Sequence, residues 1–235
     1  MSEDASIQVN FGKPIPLFPL NVVSLLPQQI LPLHIFEPRY KQLFEHALDS
    51  SGQVAMAVYS DSGGEQPSAR RSPLRRAVCL GHIVQHEKLP DGRLNIFLQG
   101  LCRARIIKEL PRGEDRLYRT ALLEPLDTQD SDPEAIAQIK ASIQSLFARG
   151  GLQKLVAAPA LTEWLANEDL PDRVLLELIS LAIIHEPATR YRLLSEPDAS
   201  ARGALLLGEL KHLERLVRLA KLQRPEDWPK GCSWN

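Results

Sequence analysis

The chain has 235 residues, of which 44% are hydrophobic and 24% are charged, a balance typical of water-soluble globular proteins. Lysine and arginine number 28, and aspartate and glutamate number 29. The resulting net charge of −1 argues against a protein whose main role is to bind the nucleic-acid backbone.

No run approaches the roughly 20 apolar residues of a membrane span. The acidic start, Met1 to Asp4, lacks the basic and apolar parts of a signal peptide. The cysteines, Cys79, Cys102 and Cys232, are odd in number and far apart, which favours free thiols. We therefore expect a cytoplasmic protein.

The first half of the chain predicts strands. Residues 14–36 contain five prolines, which suit edge strands and corners because proline cannot donate to a sheet ladder. Leu31, Leu33 and Ile35 alternate and should share one face of a strand. Further strands are predicted near 53–59, 77–87, 93–99, 102–109 and 117–126, with a turn at 90–92.

One helix interrupts these strands. It is predicted to begin at Pro38, whose missing N–H costs nothing at the first helical position, and to end at 50–52. Residues 60–76 are rich in glycine, serine and arginine and predict an exposed loop.

From Ser131 the hydrophobic period becomes helical. Asp132 is predicted to cap a helix that starts at Pro133 and ends at 150–151. Later helices are predicted near 159–167, 172–185, 188–195 and 199–223.

The motifs of common enzyme classes are absent from the sequence. There is no phosphate-binding glycine loop, no G-x-S-x-G nucleophile motif and no serine three positions before a lysine. A serine–lysine pair assembled from distant segments stays open. We predict no catalytic residue, no cofactor and no enzymatic activity.

Cys79, His82 and His86 are the one weak candidate for a metal site. On a strand the two histidines share a face, while Cys79 points the other way, so the three do not converge as zinc ligands must. We therefore predict no metal site.

Four arginines, Arg70, Arg71, Arg75 and Arg76, could contact phosphate. No aromatic residues for base stacking are interleaved with them. We favour a solvated loop, and an RNA-binding module is kept as an alternative.

The segment LPLHIFEPRY, residues 31–40, is the most unusual local sequence. In one interpretation Glu37 helps to cap the helix, Arg39 offsets its charge and the aromatic residues fill the corner. In the other, the corner lines a peptide-binding groove formed by His34, Phe36, Glu37, Arg39 and Tyr40.

Three stretches of the chain form a recognisable pattern: PIPLFPLNVVSLLPQQILPLHIFEPRY (14–40), GHIVQHEKLPDGRLNIFLQGLCRARI (81–106) and RLLSEPDASARGALLLGEL (192–210). They resemble the N-terminal, substrate-binding domain of Lon proteases, and the resemblance extends over about 11–223. It implies an α+β fold, a PUA-like β pseudo-barrel followed by an α-helical bundle. The expected domains are 11–127 and 131–223, with a C-terminal tail at 224–235.

Two features depart from the family pattern. The family usually has a Pro-Gly turn after its first strand, where this chain has Pro27-Gln28. Because glutamine does not favour positive φ as glycine does, we expect a different turn. The arginine-rich loop at 60–76 is not a family signature either.

The resemblance also implies a role. In full-length Lon this domain helps to recognise unfolded or tagged polypeptides, whereas separate AAA+ and serine–lysine protease modules, absent here, hydrolyse ATP and cut. We predict a non-enzymatic polypeptide-binding or adaptor module, whose partners are unfolded or tagged proteins and a separate protease or ATPase. An uncharacterised hydrolase is the third hypothesis.

Overall fold

A computed structural model describes residues 8–21, 24–60, 72–111, 113, 115–128, 131–149 and 151–222. The fold is α+β, as predicted. The chain divides into two compact units. The sheet unit contains the described residues up to Thr128 together with Glu186–Pro197, and the helical unit contains the rest. Among the described residues, none of the helices is both long and apolar enough to cross a membrane.

The strands are β1 (Ile15–Leu20), β2 (Ile30–Ile35), β3 (Gln53–Val58), β4 (Ala77–Lys88), β5 (Leu94–Glu109) and β6 (Arg119–Pro125). The α-helices are α1 (Pro38–Leu48), α2 (Pro133–Ala148), α3 (Ala158–Ala166), α4 (Asp172–Ile183), α5 (Pro187–Ser195) and α6 (Ala199–Leu222).

The six strands form one mixed sheet in the order β2-β5-β4-β3-β1-β6. Strands β1 and β3 are parallel, and the other pairs are antiparallel. Because β5 also pairs with β6, the sheet curls back on itself into a pseudo-barrel that is not strictly closed. Of the strands that the structure describes, β2 pairs with β5 alone and lies at the edge.

The barrel core is built from small and branched side chains on alternate positions of five strands. The alternation predicted for β2 is present, since Leu31, Leu33 and Ile35 pair with buried residues of β5. The central buried cluster consists of Ile15, Leu17, Ala55, Ala57, Val78, Leu80, Ala104, Ala121 and Leu123.

Helix α1 begins at Pro38 and buries a stripe of side chains, Tyr40, Leu43, Phe44 and Ala47, as its spacing predicts. Gly52 follows the helix with a φ of 66° and donates its amide to the carbonyl of Ala47 over 2.8 Å. This left-handed glycine ends the helix and turns the chain into β3.

Strand β5 corrects the sequence interpretation, which placed separate strands at 93–99 and 102–109. The strand runs through Gly100 because that residue pairs with Gly81 of β4. The Gly100 amide also donates to the Gln29 carbonyl over 2.8 Å. A side chain at Gly100 would place its Cβ 2.1 Å from the Leu26 carbonyl oxygen.

The turn before β2 also differs from expectation. We expected a different turn because glutamine does not favour positive φ, yet Gln28 has a φ of 69°, the left-handed conformation that glycine favours. The reason lies in the contact with β5, because the Gln28 amide donates to the Gly100 carbonyl over 2.9 Å. Tertiary hydrogen bonds thus hold a residue other than glycine in the left-handed region.

Helix α5 belongs to the sheet unit, although it follows three helices of the other unit in sequence. Arg103 of β5 is buried and donates from Nε to the carbonyl of Leu193 over 3.0 Å. Arg190 donates to Oε1 of Gln29 over 2.6 Å, and the Tyr191 hydroxyl accepts the Ala77 amide over 3.1 Å. Three strand or turn segments therefore depend on one short helix.

In the helical unit, α2 begins where the sequence predicts. The Asp132 carboxylate accepts the Glu134 amide over 2.9 Å, and Pro133 occupies the first turn. Helices α2 and α6 pack against each other, and the buried residues of this unit include Ile136, Ile143, Phe147, Leu206 and Leu210.

Candidate functional site

The outer face of β2 and β5 exposes apolar side chains in register. Ile30, Pro32 and His34 of β2 are exposed, and they lie opposite Gln99, Phe97 and Asn95 of β5. Ile30 is 55% and Phe97 is 38% exposed. Two adjacent strands thus carry apolar side chains on their solvent-facing side.

A shallow cavity of about 450 Å³ lies over these strands and the adjacent part of β4. We call it the hairpin groove. Its lining mixes apolar surface with hydrogen-bonding groups and includes Pro32, Leu33, His34, Gln85, Asn95 and Phe97. Such a mixture suits a ligand with apolar side chains and a polar main chain.

Hydrogen bonds order the polar side chains of the groove. The ring of His34 bonds through Nδ1 to Oδ1 of Asn95 over 2.8 Å, and its Nε2 lies 3.2 Å from Nη1 of Arg93. Because arginine only donates, Nε2 is the acceptor from Arg93, and Nδ1 is then the atom that donates to Asn95. Asn95 in turn donates to Glu87 over 3.0 Å, and Arg93 pairs with Asp91.

Phe36 stands beside the groove at the end of β2. Its side chain is 62% exposed, and its ring centroid lies 6.5 Å from that of His34. An aromatic ring exposed to this degree is available for contact with a partner.

Glu37 and Arg39 form an ion pair at the corner between β2 and α1. Glu37 is the N-cap residue, yet its Oε2 accepts from Nε and Nη2 of Arg39, over 2.9 and 2.6 Å, rather than from helix amides. The Arg39 guanidinium also lies over the Tyr40 ring, 4.6 Å from its centroid. Both charged side chains are half-buried.

Tyr40 lies in the core rather than on the surface. It is 6% exposed, its hydroxyl donates to the Pro19 carbonyl over 3.1 Å, and its ring meets Phe18 edge to face at 4.6 Å. Burial raises the pKa of its hydroxyl. Among the five residues singled out in the sequence, His34 and Phe36 are exposed, Glu37 and Arg39 border them, and Tyr40 supports α1 from beneath.

Sequence reasoning missed the contribution of β4 and β5 to this surface. Gln85, Asn95 and Phe97 line the groove, but none is near the 31–40 segment in sequence. The hairpin turn and the alternation of Asn95 with Phe97 were the available signals, because a known register places both on the outer face.

The remaining candidate residues from the sequence are the metal-ligand types and the cysteines. Within the described ranges, no three His, Cys, Asp or Glu side chains lie close enough to hold a metal ion. Cys79 is fully buried, and burial raises the pKa of the Cys102 thiol to about 11. Cys232 lies outside the described residues.

The arginine cluster is described only in part. Arg75 lies over the ring of Tyr191, 4.6 Å from its centroid. Arg70 and Arg71 lie outside the described residues.

Residues 14–212 match the family model of the ATP-dependent protease La (LON) substrate-binding domain. The Lon protease of Xanthomonas oryzae pv. oryzae is 25% identical over 210 residues, which are 87% of this chain and 24% of that protein. The Lon protease of Escherichia coli K12 is 24% identical over 207 residues, 88% of this chain and 26% of that protein. The chain thus spans about a quarter of these relatives.

Two solved structures share the fold. The N-terminal domain of a Mycobacterium avium complex Lon protease superposes with a TM-score of 0.63 at 17% identity, covering 85% of this chain and 98% of that one. A Lon N-terminal domain protein from Xanthomonas campestris gives 0.53 at 21% identity, covering 83% and 98%.

Proposed function

Because the chain belongs to the family of the Lon substrate-binding domain, we propose that it recognises polypeptides and carries out no catalysis of its own. The match falls on the substrate-binding domain of the relatives and not on their catalytic domain. The motifs that would supply a nucleotide site or an activated nucleophile are absent from the sequence.

The observation that carries this proposal is the hairpin groove with Phe36 beside it. Its exposed apolar groups suit the apolar side chains of an unfolded segment, since folded proteins keep such side chains buried. Gln85 and Asn95 offer amide groups that can pair with an extended main chain.

The residues of the 31–40 segment then have different roles. His34 and Phe36 contact the bound segment, and the Glu37–Arg39 pair fixes the corner from which Phe36 projects. Tyr40 is a positioning residue that holds α1 against β1. Pro32 lacks an N–H, which makes the β2 edge a poor acceptor for an added strand and favours side-chain recognition.

The proposed partners are unfolded or tagged proteins, together with a separate protease or ATPase that acts on what this chain binds. The proposed compartment is the cytoplasm. Its reducing conditions suit Cys79 and Cys102, which are both free thiols.

A binding titration tests the groove. The client is reduced and carboxymethylated lactalbumin, labelled with a fluorophore and followed by anisotropy. We expect Phe36→Ala to weaken binding about tenfold, because a truncated aromatic anchor typically costs this much or more.

Ile107→Ala provides the matched control. Ile107 is 60% exposed and lies on β5 outside the groove lining, so its loss should leave affinity within about twofold. Equal weakening by both variants, or no binding by the unmodified protein, would contradict the proposal. Cleavage of casein or hydrolysis of ATP by the purified chain alone would contradict its non-enzymatic part.

A further inference from the structure

A second cavity of the sheet unit shares no lining residue with the hairpin groove. It has a volume of about 580 Å³ and is formed by residues 8–16, 46–53 and 116–120. We call it the polar cleft. Three stretches that are far apart in sequence meet there, and nothing in the proposed polypeptide recognition uses it.

The floor of the polar cleft is ordered and polar. Gln53, Tyr118 and Thr120 line it and are buried. The Tyr118 hydroxyl lies 3.0 Å from Nδ1 of His46, and Thr120 Oγ1 accepts from Nη1 of Arg116 over 3.3 Å. These contacts hold the polar groups in place without a ligand, so little ordering is needed on binding.

Among the residues that the structure describes, the lining of the cleft carries positive charge only. Lys13 and Arg116 line it, and none of its described lining residues is an aspartate or glutamate. Among the described residues, neither cation has a carboxylate within ion-pair distance. By contrast, other arginines of the unit are paired, such as Arg93 with Asp91, Arg105 with Glu124 and Arg119 with Glu109.

We propose that the polar cleft binds a small molecule that carries a phosphate group. A phosphate monoester has a charge of about −1.5 to −2 at neutral pH, which matches the two cations better than a single carboxylate does. Arginine and lysine are the usual phosphate-binding side chains, and Arg116 also lies 5.6 Å from the Tyr118 ring centroid.

The rest of the ligand has room and suitable walls. The cavity falls within the range of about 300–1,000 Å³ typical of small-molecule sites. Pro14 and Pro16 add apolar surface, and Ser51 adds a hydroxyl. The site therefore fits a phosphorylated metabolite better than a bare ion.

Calorimetry with pyrophosphate tests this site. We expect the unmodified protein to bind pyrophosphate, and the double variant Lys13→Ala/Arg116→Ala to bind it about tenfold more weakly or worse. Both side chains are exposed, so the variant should stay folded, which its amide NMR spectrum checks.

A charge-matched variant distinguishes binding in the polar cleft from nonspecific electrostatic attraction of the anion to the protein. Lys108→Ala/Arg149→Ala removes the same charge from exposed positions outside the cleft and should leave affinity within about twofold. Equal weakening by both double variants, or no binding by the unmodified protein, would overturn the proposal. Equal binding of acetate at the same ionic strength would overturn the preference for phosphate.

Amide chemical shifts give a second readout. Pyrophosphate should shift the amides of Lys13, Ser51 and Thr120, and it should leave those of Asn95 and Phe97 in place. Shifts that exclude the cleft residues would place the anion elsewhere and reject the site.

Discussion

Gly100 and Gly81 of the sheet unit and Gly208 of the helical unit have opposite surroundings. In the sheet unit, a Cβ at Gly100 would lie 2.1 Å from the Leu26 carbonyl oxygen, and one at Gly81 would lie 2.8 Å from Leu98 Cγ. In the helical unit, a Cβ at Gly208 of α6 would meet nothing within 4 Å. In the curled sheet, main chain packs against Gly100 and the Leu98 side chain packs against Gly81, whereas the outer side of α6 at Gly208 is open.

The largest expected effect comes from Gly100→Ala. The added methyl group must displace the turn at 26–29, because the atom that it meets is a main-chain oxygen. We expect a loss of about 3 kcal/mol or more in the free energy of unfolding, measured with urea.

Gly208→Ala is the partner experiment in the helical unit. Alanine has a higher helix propensity than glycine at an exposed position, so this variant should gain about 0.5–1 kcal/mol in the free energy of unfolding. Losses of similar size in both variants would remove the contrast between the two positions.

An intermediate effect is expected at the start of α6. Asp198 accepts from the hydroxyl of Ser200 and from the amides of Ser200 and Ala201. Hydrogen bonds, first from Ser200 and then from Ser131, lower the pKa of this carboxyl from 3.8 to about 2.

Asp198→Asn tests this cap. Because the folded state lowers the pKa, the carboxylate stabilises the protein above about pH 4, and this stabilisation is lost as the pH falls towards 2. The variant should lose about 1 kcal/mol at pH 7. It should also show a shallower fall in stability between pH 4 and 2, measured by urea unfolding across that range. A parallel acid dependence in both proteins would contradict the assignment.

The smallest expected effect is at Gln28 in the sheet unit. Gln28→Gly removes the strain of a left-handed φ at an exposed residue, but it also raises the conformational entropy of the unfolded chain. We expect a net gain of about 0.5–1 kcal/mol in the free energy of unfolding. Gln28→Ala keeps the strain and should gain nothing. An equal gain in both variants would show that the glutamine side chain, rather than its φ, is unfavourable.

Helix starts and strand faces that depend on residues adjacent in sequence could be predicted from the sequence. Pro38 and Asp132 marked the starts of α1 and α2, and alternation gave the inward face of β2. Gly100 misled because a glycine within a strand pattern resembles a break, and only the turn packed on it shows why the strand continues. The return of α5 had no local signal either, since Leu193 and Leu194 would be apolar against any partner.

In the candidate sites too, features set by contiguous residues could be predicted and features set by tertiary contacts could not. The 31–40 segment was visible because its unusual residues are contiguous, and it led to His34 and Phe36. The remaining groove residues are brought to the same surface by the pairing of β2 with β5 and of β5 with β4. The polar cleft was missed entirely, because Lys13, His46 and Arg116 are each unremarkable in sequence and meet only through the fold.

The late position of α5 has a consequence for the nascent chain. About 70 residues separate the end of β6 from the end of α5, so translation at roughly 5–20 residues per second delays the helix by ~4–14 seconds. During that interval Arg103 lacks its acceptor on Leu193, and Gln29 lacks Arg190. During synthesis the barrel therefore lacks these stabilising hydrogen bonds until most of the helical unit has been made.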